Sequence, residues 1–221
     1  MRLVFLGPPG SGKGSQAKFV VERYGVAHIS TGDLLRAAVK AGTELGLKAS
    51  ELMQKGNLVP DELVTELIAQ HLDAGDLWSN FLLDGFPRSI NQAEGLAAML
   101  EQRNSPLTMV VHLHVEHSAL VKRLSGRRTC IKCGEIYNVY FNPPKVAGLC
   151  DCERAGELMQ RDDDNEKSIV NRLSVYDENT KPLLAYYEQS GLLRTVDASG
   201  ELAGIAQQVE QVLGNQQTGS V

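Results

Sequence analysis

A short apolar run, Leu3-Val4-Phe5-Leu6, passes straight into Gly7-Pro8-Pro9-Gly10-Ser11-Gly12-Lys13-Gly14, and apolar residues then recur at Ala17, Val20, Val21 and Tyr24. That spacing is one face of a helix, so the order is buried strand, glycine loop, helix. No other stretch restricts the possible folds as much. The segment fits the phosphate-loop pattern G-x4-G-K, with Gly14 standing where Ser or Thr often serves magnesium. Glycines let backbone N–H groups turn inward around phosphate oxygens, and the helix start adds a positive field. Lys13 brings a mobile cation to the β and γ phosphates. A merely tight strand-to-helix turn would not call for a lysine among four glycines.

Similar short apolar runs recur at 26–29, 81–83, 109–115 and 192–196, each separated by helical patterns. Such alternation predicts an α/β fold, a parallel sheet covered by helices. Two stretches break the alternation, 30–59 and 126–164, and both sit between strands, where an insert can grow over the carboxyl edge of the sheet. The first reads as helical, with Gly42, Gly46 and Gly56 as breaks, and closes at Pro60 as the first position of a helix carrying Leu63, Leu67 and Ile68. The second holds every cysteine, the aromatic residues Tyr137, Tyr140 and Phe141, and Pro143-Pro144, and reads as a small loop-rich domain rather than a sheet layer. A core of 1–29, 60–125 and 165–221 remains, with 30–59 and 126–164 as inserted subdomains. Asp162-Asp163-Asp164 suits a helix start, where negative charge meets the macrodipole. The last helix carries Leu202, Ile205, Val209, Val212 and Leu213, and the small polar tail 215–221 is expected to fray.

The 221 residues include 22 Lys and Arg against 27 Asp and Glu, a net charge of −5. That balance disfavours a general nucleic-acid or anionic-membrane binder, yet leaves room for a few arginines converging on a small polyphosphate. No apolar run approaches the roughly 18 residues of a membrane helix, and the N-terminal run is too short for a signal peptide. A cytoplasmic location is the expectation.

Asp84 ends the run Leu82-Leu83-Asp84, a place from which a carboxylate can hold magnesium waters beside a phosphate loop, and Asp33 offers a second such group. The spacing Cys130-x2-Cys133-x16-Cys150-x-Cys152 supplies four thiolates and leaves no coordination position open, so a structural metal is expected. It would hold folded an insert too small to build its own core. Zinc is the default, with iron or cobalt also acceptable to tetrahedral thiolates. The fourth ligand is Cys152, with Glu153 or Asp151 as oxygen alternatives. His112 and His114 share one strand face and are read as core or rim residues. Trp78 is read as packing at a helix end.

The segments GPPGSGKGSQ at 7–16, ISTGDLLR at 29–36, LLDGFPRS at 82–89 and QRDDD at 160–164 resemble the adenylate kinase family over nearly the whole chain. The cysteine insert, with YNVYFNPPK at 137–145, is similar to the long-lid, metal-containing bacterial form. The resemblance implies a P-loop NTPase-type five-stranded parallel sheet flanked by helices with two mobile inserts. It also implies magnesium-dependent transfer of a phosphoryl group between ATP and AMP to give two ADP. A monomer is expected separately, since no extra apolar stripe remains after the helices cover the sheet. For ATP it implies Gly10, Ser11, Gly12, Lys13, Gly14, Ser15, Arg123, Arg127, Ile136, Tyr137 and Gly200. For AMP it implies Thr31, Arg36, Asn57, Leu58, Val59, Gly85, Phe86, Pro87, Arg88, Gln92, Arg161 and Arg172, with Gln92 reading the adenine. Lys13, Asp84, Arg88, Arg123, Arg161 and Arg172 are implied in catalysis, the arginines closing on the transferred phosphoryl. Hinges near Gly42, Gly56 and Gly126 are expected.

The residue chemistry is compatible with that assignment. An AMP phosphate is already an ionised nucleophile at neutral pH, so the reaction needs positioning and positive charge rather than a general base. Rival readings are a kinase for another nucleoside monophosphate, a nucleotide-dependent metal-sensing switch, and a nucleic-acid-binding zinc ribbon. Arg36, Arg88, Arg123 and Arg172 exceed what a single bound nucleotide requires, which argues against the switch. The acidic total argues against the ribbon.

Overall fold

A computed structural model describes residues 1–214; the tail 215–221, expected to fray, lies outside the described residues. In chain order the elements are β1 (Arg2–Leu6), α1 (Lys13–Tyr24), β2 (Ala27–Ser30), α2 (Thr31–Lys40), α3 (Glu44–Lys55), α4 (Asp61–Ala74), β3 (Phe81–Asp84) and α5 (Ile90–Gln102). They continue with β4 (Met109–His114), α6 (His117–Ser125), β5 (Arg127–Cys130), β6 (Ile136–Asn138), β7 (Leu158–Met159), α7 (Glu166–Val175), α8 (Leu183–Gln189), β8 (Leu193–Asp197) and α9 (Leu202–Gly214).

The five expected strands form one sheet in the order β2-β3-β1-β4-β8, every pair parallel. Parallel strands need crossovers, and the crossover helices cover both faces, which is why these strands read as unbroken apolar runs. Along β1 the faces alternate. Leu3 and Phe5 pack with Val20, Leu120 and Val209 on one side, while Val4 and Leu6 pack with Ile68, Leu96 and Leu183 on the other. The register sets Phe5 and Ser30 opposite Asp84, so the carboxyl ends of β1, β2 and β3 converge at one edge. At that edge Gly10 and Gly12 take φ of 85° and 93°, a left-handed backbone open to glycine at little cost, and the chain turns there into α1.

Four local expectations are corrected. The cysteine insert is more than loops: β6, β5 and β7 form a small antiparallel sheet, Arg127 facing Asn138 and Cys130 facing Leu158. Strands of two to four residues are too short for alternation to show in sequence. Gly46 is no break but lies inside α3, where a Cβ would run into the Ala38 carbonyl of α2. Pro60 precedes α4 as its cap instead of opening it. Finally, Asp162–Asp164 forms a short 3-10 turn, and α7 is capped by Asn165, whose side chain accepts from Ser168 N.

Candidate active site

The convergent strand ends and both inserts enclose a cleft of about 1170 Å³. Every residue expected at the two nucleotide sites lines it except Phe86, which is fully buried in the core beneath; only its neighbours Gly85 and Pro87 reach the cleft. Inside the phosphate loop, the Lys13 ammonium donates to the carbonyls of Gly7 (2.8 Å) and Pro8 (3.0 Å). Burial pushes its pKa from 10.5 down to about 8, against the opposing pull of Asp84, with Arg88 and Arg172 adding to the depression.

Asp84 leaves β3 toward the loop. A Cβ on Gly14 would stand 3.7 Å from its Oδ2, so the carboxylate occupies the space beside the position that often carries a magnesium-binding hydroxyl. That placement fits a carboxylate holding the waters of a magnesium ion. Burial pushes the Asp84 carboxyl up, but His28, Lys13 and Arg88 outweigh it and hold it below the usual carboxylate range. Asp33 does not join it: its carboxylate is taken by Arg36 at 2.6 Å. Beside Asp33, Thr31 is buried with its hydroxyl unpartnered among the described residues. Such a group at a cleft wall is ready for a ligand hydrogen bond.

Positive charge concentrates here. Arg88 extends from the loop after β3, its Nε held by the Gly85 carbonyl at 2.8 Å, and its pKa is lowered by burial and by Arg172. Arg161 donates to Thr129 Oγ1 at 3.3 Å and is pushed down to about 10, chiefly by burial, then by Arg127 and Arg36. Arg172 binds Asp163 Oδ2 (2.9 Å) and Asp164 Oδ1 (3.0 Å). Arg127 grips Asp164 at two points, Nε to Oδ2 at 2.8 Å and Nη2 to Oδ1 at 2.6 Å. Lys13, Arg36, Arg88, Arg127, Arg161 and Arg172 thus form one mutually repelling set held by few carboxylates, an arrangement suited to an anion.

Arg123 does not belong to that set. Its guanidinium donates to the carbonyls of Ala198 (2.9 Å) and Ser199 (3.1 Å), next to Gly200 and 6.0 Å from the Phe141 ring. Arg123, also expected at the transferred phosphoryl, lines the same cleft, and Arg127, expected as a lid contact, carries its charge within the cluster. Sequence reasoning also gave Asp163 and Asp164 only a helix-dipole role and did not single out Asp61, whose carboxylate meets Gln92 Nε2 at 2.7 Å. Motif spacing carried no signal for the Arg127–Asp164 and Asp61–Gln92 contacts, because they bridge segments 37 and 31 residues apart.

In the second insert the sulfurs of Cys130, Cys133, Cys150 and Cys152 all lie within 4.8 Å of one another, and none is disulfide-bonded. Metal–sulfur bonds of about 2.3 Å in a tetrahedron require sulfurs about 3.8 Å apart, so the set fits one ion after small adjustment. Backbone N–H groups of Lys132 and Cys152 point at Cys130 Sγ and Cys150 Sγ, both at 3.4 Å, as suits thiolate ligands. Asp151, an oxygen alternative for the fourth ligand, spends its carboxylate on the Lys145 N–H at 3.0 Å. His112 is buried and His114 exposed on the sheet rim, and Trp78 packs at the end of α4 with its N–H on Asp73, as expected of structural residues.

Residues 5–192 match the family model described as adenylate kinase. The chain is 51% identical over 213 residues to an adenylate kinase of Thermodesulfovibrio yellowstonii, covering 96% of this chain and 99% of that one. It is 48% identical to one from Archaeoglobus fulgidus over 96% of this chain and 98% of the relative. For one from Geobacillus sp. the identity is 46%, over 98% and 100%.

Proposed function

The chain belongs to the adenylate kinase family, and from that premise we propose how its residues carry the family reaction, reversible phosphoryl transfer from ATP to AMP giving two ADP. The observation that supports the assignment is a single cleft lined by the phosphate loop and, from other segments of the chain, by a further cationic set, Arg36, Arg88 and Arg161. One nucleotide needs one such set. Two sets with a shared charge cluster between them suit a donor and an acceptor.

The ATP phosphates lie on the N–H groups of Gly10 to Ser15, with Lys13 leaving its loop carbonyls to reach the β and γ oxygens. Arg123, the Ile136-Tyr137 backbone and Gly200 take the base end. The AMP phosphate is held by Arg36 and Arg88, and its adenosine lies among Thr31, Asn57, Leu58, Val59, Gly85 and Gln92. An AMP oxygen then attacks the γ phosphorus in line while the β–γ bridging oxygen leaves. No proton needs to move. Arg88, Arg127, Arg161 and Arg172 stabilise the charge spread over the transferring oxygens, and planar guanidinium groups do this bidentately where lysine offers a point charge. Asp84 would hold the waters of a magnesium ion, which when bound would supply positive charge against the ATP phosphates.

The inserts 30–59 and 126–164 act as separate covers over the core 1–29, 60–125 and 165–221, turning near Gly42, Gly56 and Gly126, and they exclude water from the phosphoryl group. Zinc is the proposed metal of the four-cysteine site, a structural clamp on the lid insert with iron or cobalt as substitutes. The protein acts as a cytoplasmic monomer on small-molecule substrates, with no nucleic-acid or membrane partner. No described helix is long and apolar enough to cross a membrane.

Magnesium-dependent diphosphate formation from ATP with AMP, UMP, CMP and GMP offered separately tests the acceptor. Fast turnover with AMP alone is expected. Preference for another monophosphate overturns the base assignment, and transfer to none overturns the kinase reading.

A further inference from the structure

Gln92 is fixed at both ends of its amide. Its Oε1 accepts from the Arg88 backbone N–H at 2.7 Å, and its Nε2 donates to Asp61 Oδ1 at 2.7 Å. Asp61 is itself held, its Oδ2 accepting from Ser89 Oγ at 2.6 Å, and Ser89 Oγ in turn accepts from the Gln92 backbone N–H at 3.2 Å. All this lies at a residue only 2% exposed. A glutamine amide has two lone pairs on oxygen and two hydrogens on nitrogen, so one of each remains for a ligand.

The terminal torsion of glutamine is broad and two-fold, and nothing intrinsic prevents a half-turn that exchanges oxygen and nitrogen. Adenine presents a 6-amino donor beside the N1 acceptor. Hypoxanthine and guanine present the reverse, a 6-oxo acceptor beside an N1–H donor. A freely turning amide would serve both. Turned around, Gln92 would set its carbonyl against the Asp61 carboxylate and its NH2 against the Arg88 N–H, losing two hydrogen bonds where water cannot replace them.

We infer that Asp61 is a specificity-determining residue: by locking the Gln92 amide in one orientation it admits 6-aminopurine monophosphates and rejects 6-oxopurine ones as phosphoryl acceptors. The inference rests on Gln92 being the base contact. Asp61 acts as a positioning residue, through Gln92. A carboxylate is needed because both its oxygens only accept, whereas an asparagine there could turn with Gln92 and donate to the reversed carbonyl.

The test is kcat/KM for AMP and for IMP, with ATP as donor, in the native enzyme, Asp61→Asn, Asp61→Ala and Gln92→Leu. The AMP-to-IMP ratio divides out any loss of folded protein, so reduced stability does not move it. Both Asp61 variants are expected to lower the ratio about tenfold, the worth of one net hydrogen bond with the Arg88 N–H contact still in place, through the KM values more than through kcat. A ratio that falls in Gln92→Leu but is unchanged in both Asp61 variants overturns the role of Asp61 alone. A ratio unchanged in Gln92→Leu overturns the base contact itself and the inference with it.

Discussion

Arg127, at the start of the second insert, and Asp164, at its end, are joined by two parallel hydrogen bonds of 2.8 and 2.6 Å, and the Asp164 side chain has no exposed surface. The pair staples the two stems of the insert together. Arg172 shares the same carboxylate at 3.0 Å, so removing Asp164 leaves two largely buried guanidinium groups facing each other. Asp164→Ala is expected to cost about 3–5 kcal/mol, the usual penalty for breaking a buried pair on one side. Denaturant unfolding checks this, and a midpoint equal to that of the native protein would show that the stems are held by other contacts.

Arg88 lies among like charges, with Arg172 and Arg36 both opposing its protonation. Arg88→Ala therefore removes a repulsion along with the proposed phosphate contact. Turnover is expected to fall on the order of a thousandfold, while the thermal midpoint stays within a few degrees. Arg88→Lys should recover only part of the rate, since lysine lacks the planar fork. Near-normal turnover of the alanine variant in single-turnover kinetics would remove Arg88 from the transfer step.

Lys13 supplies a pH signature. Its folded pKa, about 8, lies below the ordinary 10.5, so between those values the unfolded chain binds more protons. The sign follows: this group's contribution to stability is least below about pH 8 and grows as pH rises through that window. Phosphate binding pulls the proton back, so ATP affinity should fall about tenfold per unit above pH 8. Calorimetry at about pH 8.5 in two buffers of different ionisation enthalpy should show uptake of about three-quarters of a proton on ATP binding. The Lys13→Met variant should show none, and equal uptake in both proteins would assign the proton elsewhere.

For the four-cysteine site, Cys152→Ser is expected to lower bound metal below one per chain and to speed hydrogen exchange within residues 127–159, with core exchange unchanged. Turnover at low temperature should survive, because the sulfurs form a closed set with no place for substrate. Metal analysis with exchange mass spectrometry reads both. Lost turnover in a folded, metal-loaded variant would contradict a structural role.

Gly46→Ala adds one methyl group where α3 meets the backbone of α2, against Ala38 and Val39. The two helices must separate, at a cost of about 1–3 kcal/mol. Because α2 carries Thr31 and Arg36 of the proposed acceptor side, the KM for AMP should rise more than that for ATP. Equal KM values and an unchanged melting curve would mean that the helices yield freely.

What the sequence alone determined were features written in short windows: the glycine loop between strand and helix, the five apolar runs, the two breaks in their alternation, and the cysteine spacing. Each depends on residues a few positions apart, where backbone geometry fixes which side chains face together. Tertiary structure decided the pairings. Spacing could not show that Asp164 meets Arg127 across 37 residues, that Asp61 reaches Gln92 across 31, or that Arg123 turns to the Ala198 and Ser199 carbonyls instead of the charge cluster. A guanidinium or a carboxylate reads the same at any position. Only when an insert folds back on its own stem, and a loop from another strand end comes within 3 Å, does one partner become the nearest.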